Sequence, residues 1–237
     1  MAIPAVDSEL MASPTPLRVA VIGAGYWGPN LARNLGIDIT DPVAASYDVL
    51  SGTDTKVDVV KATLDHAETE STFLVMAGLG YDAAIMANTV DELKDRVGWL
   101  AYVEAGIRHL PGKPIRAKIS IDGEHPVRRR IRSVMVGNCG KIMGGVEIFP
   151  DAKIDDGILD VVILAPIGRF GWLDVLAGVF GRRNSKNASV VYFAGKSAEI
   201  ELAHEQEFQL DGDPLGKAKH LKVTVEQDAL TIRMTGI

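Results

Sequence analysis

The sequence predicts an α+β protein, mainly an antiparallel β-sandwich, preceded by a short strand–turn–helix segment of α/β texture. Three observations carry this. From Lys56 onward, short runs rich in apolar and β-branched residues recur at regular spacing with few helical stretches between them. Two Asp-Gly pairs, Asp122-Gly123 and Asp211-Gly212, fall between such runs, where hairpin turns belong. Ahead of them the apolar run Leu17–Ile22 leads into Gly23-Ala24-Gly25-Tyr26-Trp27-Gly28 and a helical Asn30–Leu35. The expected division is a flexible tail at 1–16, an incomplete α/β nucleotide-binding segment at 17–55 and a β-rich domain at 56–237.

Asp41 as N-cap and Pro42 at the first helical position start a helix that runs to about Leu50. Lys56–Ala62 alternates as a half-buried strand does. Thr72–Leu79 is nearly all apolar, as in a strand covered on both faces. Leu93, Val97, Leu100, Val103, Ile107 and Leu110 recur at steps of three and four, so Asp91–Leu110 is a helix, ended by Pro111-Gly112. Strands follow at Ala117–Ile121, Arg130–Val136, Gly144–Phe149, Leu159–Leu164 and Ser189–Phe193. Further strands are Ala198–Leu202, Glu207–Leu210, Lys222–Val225 and Ala229–Met234, and one helix, Trp172–Phe180, interrupts the series.

The 237 residues are 47% hydrophobic and 24% charged, an ordinary globular composition. A net charge of −6 argues against nucleic acid as a partner, because such binding rests on neutralising phosphates with Lys and Arg. Cys139 is the single cysteine, so no internal disulfide forms and a reducing, cytoplasmic setting is expected. No apolar run reaches the ~18 residues of a membrane span. The five histidines show no His-x-x-x-His spacing, which leaves no transition-metal signature.

Gly23-x-Gly25-x-x-Gly28, between a strand and a helix, is the dinucleotide-binding fingerprint, in which a pyrophosphate approaches the helix N-terminus. The stretch VAVIGAGYWGPNLARNL resembles the start of the Gfo/Idh/MocA family of NAD(P)-dependent oxidoreductases. A second parallel strand ending in a ribose-binding acid should follow. Asp48 stands at the right distance, but Ala44–Leu50 reads as helix, so useful NAD(P) binding is not expected.

A second resemblance covers residues 31–237. LARNLGIDITDPVAA, FLVMAGLGYDAAIMANT, VMVGNCGKIMGGVEIFPDAKIDDGILDVVIL and FQLDGDPLG occur in that order. Together they resemble the C-terminal lobe of the diacylglycerol kinase/sphingosine kinase superfamily, in its bacterial soluble branch. The resemblance implies ATP-dependent phosphorylation of a lipid hydroxyl such as diacylglycerol, with Mg²⁺ and ATP, at a membrane surface. It is compatible with a homodimer and with a peripheral, cytoplasmic protein. The family's Gly-Gly-Asp-Gly-Thr loop, which holds nucleotide phosphate, is absent. Its Gly-Thr-Gly-Asn loop falls on Tyr26-Trp27-Gly28-Pro29, where only Gly28 matches. Weak or no activity of this chain is the expectation.

Site residues follow from both lines. Asp211-Gly212-Asp213 reads locally as a hairpin turn; the resemblance places a catalytic acid at Asp213, where the family more often has Glu. Lys153-Ile154-Asp155-Asp156-Gly157 reads either as a solvated turn or as a hard-cation site, two carboxylates plus a carbonyl supplying oxygen ligands for Mg²⁺. Family members carry a structural Mg²⁺ at the corresponding turn. Asp82 is expected as a helix cap, Asn138 as a partner of local backbone, and Cys139 as a small buried residue. Arg128, Arg129, Arg130, Arg132, Arg182 and Arg183 are either solvated or in reach of anionic headgroups. An NAD(P) oxidoreductase and a non-catalytic lipid-binding module stay open as alternatives to a lipid kinase.

Overall fold

The computed structural model describes residues 51–80, 114–140, 148–167 and 189–234, with Asp41, Val43, Gly171 and Val175 as isolated positions. Gly23, Gly25, Gly28, Asp82, Arg182 and Arg183 lie outside the described residues, as do the segments expected as helices at Asn30–Leu35 and Asp91–Leu110. At Asp41 the expected cap is present: its Oδ1 accepts the Val43 N–H at 2.9 Å.

The described residues form ten strands, all paired antiparallel. They are β1 (Thr53–Leu64), β2 (Ser71–Phe73), β3 (Met76–Gly80), β4 (Ile115–Ile121), β5 (Val127–Ile131), β6 (Ser133–Gly137), β7 (Leu159–Leu164), β8 (Val190–Gly195), β9 (Ser197–Leu210) and β10 (Asp213–Met234). The ladder runs β2-β1-β10-β9-β3-β6-β7-β8, with β4 on β9 and β5 on β4. The long strand β9 changes its neighbour part-way: residues 198–202 pair with β4 and residues 208–210 with β3, while β10 follows along the other edge. Two wings result, and they close on one core. Ala117, Ile119, Ile200 and Val223 from one wing meet Leu79, Val134, Val136, Val161 and Ile163 from the other.

The β3–β6–β7 wing is covered on its second face as well. Met76, Met135 and Val162 alternate with the core residues and pack on Phe149, Cys139 and Ile154. This explains why those strands read as continuous apolar runs rather than as alternations.

Both Asp-Gly pairs make the expected hairpins. Asp122 and Gly123 have φ of 50° and 74°, and Asp211 and Gly212 have 45° and 85°. Two successive left-handed residues match the strand twist, and an Asp-Gly pair adopts them readily. Several boundaries differ from the sequence reading. The run expected as one strand at Arg130–Val136 breaks at Arg132, where the chain leaves the β4–β5 pair for the other wing and the Arg132 N–H turns to the Leu164 carbonyl, 2.7 Å away. Thr72–Leu79 breaks at Leu74–Val75. Conversely, Ala198–Leu202 and Glu207–Leu210 are one strand, as are Lys222–Val225 and Ala229–Met234, the latter joined through a bulge at Asp228 with φ of 58°. Of the strand expected at Gly144–Phe149, Ile148 and Phe149 lie in a bend instead, where Phe149 accepts the Ala152 N–H at 3.1 Å.

Candidate functional site

The break between β2 and β3 is made by Asp211. Its Oδ2 accepts the Leu74 N–H at 2.8 Å, and its Oδ1 accepts those of Val75 at 2.8 Å and Met76 at 2.9 Å. Three consecutive amides that point at one carboxylate cannot also serve a strand ladder, so the chain bends there. The Asp211 N–H in turn donates to the Met76 carbonyl at 2.8 Å. The β9–β10 turn is thereby bolted to the start of β3. Burial holds the Asp211 carboxyl above the usual carboxylate range; the three amides work against that rise, and the charge of Asp213 adds to it.

Asp213 begins β10 directly opposite Leu210 and is exposed. It shares its turn with Asp211 but not its environment. One carboxylate fixes the hairpin, and the other is presented to solvent.

The carbonyl side of the same bend is held by the segment after β6. Asn138 is fully buried, and its Nδ2 donates to the Leu74 carbonyl at 3.1 Å and the Asp58 carbonyl at 3.3 Å. Asn138 therefore serves backbone, as expected, but backbone distant in sequence rather than local. Its Oδ1 is buried with no protein partner. The Cys139 Sγ donates to the same Leu74 carbonyl at 3.3 Å; burial, and then the Asp211 charge, push this thiol far up, so it is an unreactive core group.

Asp58 was not singled out by sequence reasoning, and it organises the second turn. Its side chain is inaccessible; Oδ2 accepts the Gly157 N–H at 2.6 Å and Oδ1 accepts the Asp228 N–H at 2.9 Å. Gly157 has φ of 70°, and a Cβ there would stand 2.8 Å from the Gln227 side chain, so glycine is required by both conformation and space. The signal was available: an aspartate inside Val57-Asp58-Val59-Val60, where every neighbour is apolar, has to find donors in the core.

Asp155 and Asp156 occupy this second turn. Asp155 is exposed, whereas Asp156 is half-buried and its Oδ1 accepts the Ile158 N–H at 3.0 Å. Burial raises the Asp156 carboxyl; the Ile158 amide opposes that, Asp58 and Asp155 raise it further, and Lys153 offsets part. Among the described residues no group of three or more His, Cys, Asp or Glu side chains is placed to hold a metal. The turn nevertheless concentrates negative charge, and its donors are all oxygen, which fits Mg²⁺ completed by carbonyls and water. The two turns are not in direct contact through their acids. They are linked by hydrogen bonds in series, Asp211 to Leu74, Leu74 to Asn138, Asn138 to Asp58 and Asp58 to Gly157.

Residues 75–234 match the family model of the YegS C-terminal NAD kinase beta sandwich-like domain. The chain belongs to this family. Among curated relatives, a protein of Cronobacter sakazakii described as "Probable lipid kinase YegS-like" is 29% identical over 74% of this chain and 57% of its own length. A diacylglycerol kinase of Bacillus subtilis is 23% identical over 78% of this chain and 59% of its own length. A crystal structure of a Bacillus anthracis protein assigned as a diacylglycerol kinase superposes with a TM-score of 0.68 at 25% identity, over 86% of this chain and 65% of that one. The chain thus spans little more than half the length of the curated lipid kinases it resembles. Both the lipid kinase family and its β-sandwich lobe, read from the motifs at 31–237, are borne out. Among the described residues no helix is long and apolar enough to cross a membrane.

Proposed function

We propose that the chain provides the acceptor-side lobe of a lipid kinase, with Mg-ATP as phosphoryl donor and a lipid hydroxyl such as that of diacylglycerol as acceptor. The observation that carries this is the family match across the lobe, combined with an exposed Asp213 on a turn that Asp211 holds rigid. Asp213 accepts the proton of the lipid hydroxyl as its oxygen bonds to the γ-phosphorus; the bond to the bridging oxygen breaks, and ADP leaves with that electron pair. Asp211 is a positioning residue, because both of its oxygens already accept backbone amides. Asp155 and Asp156, with neighbouring carbonyls, would hold Mg²⁺, which would neutralise the acidic turn ahead of β7 and keep it folded. The setting is cytoplasmic and peripheral to a membrane.

Phosphoryl transfer depends chiefly on positioning and charge neutralisation at the phosphates. The Gly-Gly-Asp-Gly-Thr loop that does this in the family does not occur in the 237 residues. A base contributes only ~10²–10⁴-fold, so Asp213 alone leaves negligible turnover. The test is transfer of radiolabelled phosphate from ATP to diacylglycerol. The chain as given is expected to be inactive; with an intact family nucleotide lobe in place of residues 1–30 it should turn over, and Asp213→Asn should abolish most of that rate. Activity in the fused protein that survives Asp213→Asn removes Asp213 as the base. Activity in the chain as given means that it carries a nucleotide site of its own.

A further inference from the structure

The β4–β5 hairpin carries a charge arrangement that its own stability does not favour. Arg116 lies directly opposite Arg130, and Lys118 directly opposite Arg128. Residues two apart on a strand share a face, so these four cations stand together on one side of the hairpin. Ala117 and Ile119, which alternate with them on β4, are buried in the core on the other side. Like charges opposed across a ladder are destabilising, and here two such pairs are adjacent.

Compensation from the protein is small. Lys118 pairs with Glu201 on β9 at 2.9 Å. The other nearby carboxylate, Glu199, is bonded to His220 at 2.8 Å. Arg116, Arg128 and Arg130 are exposed and make no ion pair among the described residues. Arg132, which sequence alone grouped with them, is half-buried in the bend after β5. Protection of a bare sheet edge accounts for charge on β5 but not on β4, which has a neighbour on both sides. A departure from local pairing rules with so little internal compensation is expected where a ligand supplies the missing charge.

We infer that this face of the β4–β5 hairpin, Arg116, Lys118, Arg128 and Arg130, is a docking surface for a membrane rich in anionic lipid. Strand geometry sets the four Cβ positions within roughly 7 by 5 Å. That is a compact, flat footprint on a protein whose net charge is −6. It suits a plane of closely spaced monovalent headgroups, whereas a duplex demands a longer basic track. The preference for a lipid surface over an acidic protein rests on the lipid kinase reading above.

The test is co-sedimentation of the full chain with phosphatidylcholine vesicles, with and without phosphatidylglycerol, in the absence of diacylglycerol and ATP. Binding should require phosphatidylglycerol and weaken with salt. Arg128→Gln/Arg130→Gln should lower the partition coefficient about 25-fold, fivefold for each cation. Lys56→Gln, on β1, should leave it unchanged. The double variant should melt no lower than the parent, since it relieves both like-charge pairs, so lost binding is not lost folding. Equal partition of parent and double variant, no binding of the parent to phosphatidylglycerol, or arginine-dependent binding of a duplex oligonucleotide instead of vesicles would overturn the assignment. Because ATP is absent, no phosphoryl transfer enters the readout, and failure here is separate from failure of the Asp213 assay.

Discussion

Asp211 and Asp156 sit where water is scarce, and both hold their protons to higher pH than an ordinary aspartate does. In the unfolded chain they release those protons near the ordinary value. Between the two values the folded state binds more protons, so stability falls as pH rises through that window. Asp156→Asn should therefore flatten the urea-unfolding profile just above the ordinary aspartate range and, without metal, should melt at or above the parent. With Mg²⁺ the order should reverse: the ion should raise the melting temperature of the parent, by selective binding to the folded state, and raise the variant less. An equal Mg²⁺ response in the two proteins would leave the turn with no metal role. Asp211→Asn differs, because the new amide turns a donor toward a backbone N–H that needs an acceptor. A loss of about 1–3 kcal/mol is expected in denaturant titration. The Asp156 turn was legible in the sequence as a cluster of carboxylates; the role of Asp211 was not, because there it is half of a hairpin signal and its amide partners lie far away at Leu74, Val75 and Met76.

The strands were readable where their cause is local and misread where it is not. Lys56–Ala62, Ala117–Ile121 and Leu159–Leu164 each sit inside an observed strand, because apolar spacing and turn chemistry are properties of the segment itself. The breaks at Leu74–Val75 and Arg132 carry no breaker residue; they are imposed by Asp211 and by the passage between wings. The long strands β9 and β10 were each cut in two for the opposite reason. The stretches 203–205 and 227–229 mimic loops; they are register shifts inside each strand, and the ladder resumes on both sides of them. These differences predict a pattern of amide exchange. Val134–Val136 and Val161–Ile163, buried on both faces, should exchange only by global unfolding. Arg128–Arg130, on a single-neighbour strand with every side chain exposed, should exchange orders of magnitude faster. Uniform protection across the two would mean that the wings do not differ in local stability.

At the scale of the whole molecule, the two wings share β9 and β10, and the hydrogen-bond series through Asn138 runs between the β9–β10 turn and the acidic turn before β7. Replacing Asn138 with Ala removes the side-chain donor to the Asp58 carbonyl and leaves the Leu74 carbonyl with the weak Cys139 thiol, and should cost about 1–3 kcal/mol in unfolding free energy. The fold class and the family were legible over 31–237, because four segments in fixed order are a property of the whole chain. The joining of the two turns was not, since it depends on pairings formed only in three dimensions. One such pairing has a bearing on biosynthesis. β1 takes its ladder from β10, with Thr53 beside Met234 and Leu64 beside Leu221. A ribosome therefore delivers the first described strand long before the strand that completes it. Until β10 emerges, β1 and β9 each present an open edge of unpaired amides, a template for pairing with a neighbouring nascent chain. Folding by such distant pairings is slow, so chaperone supply and translation rate will govern how much of this protein a cell recovers in soluble form.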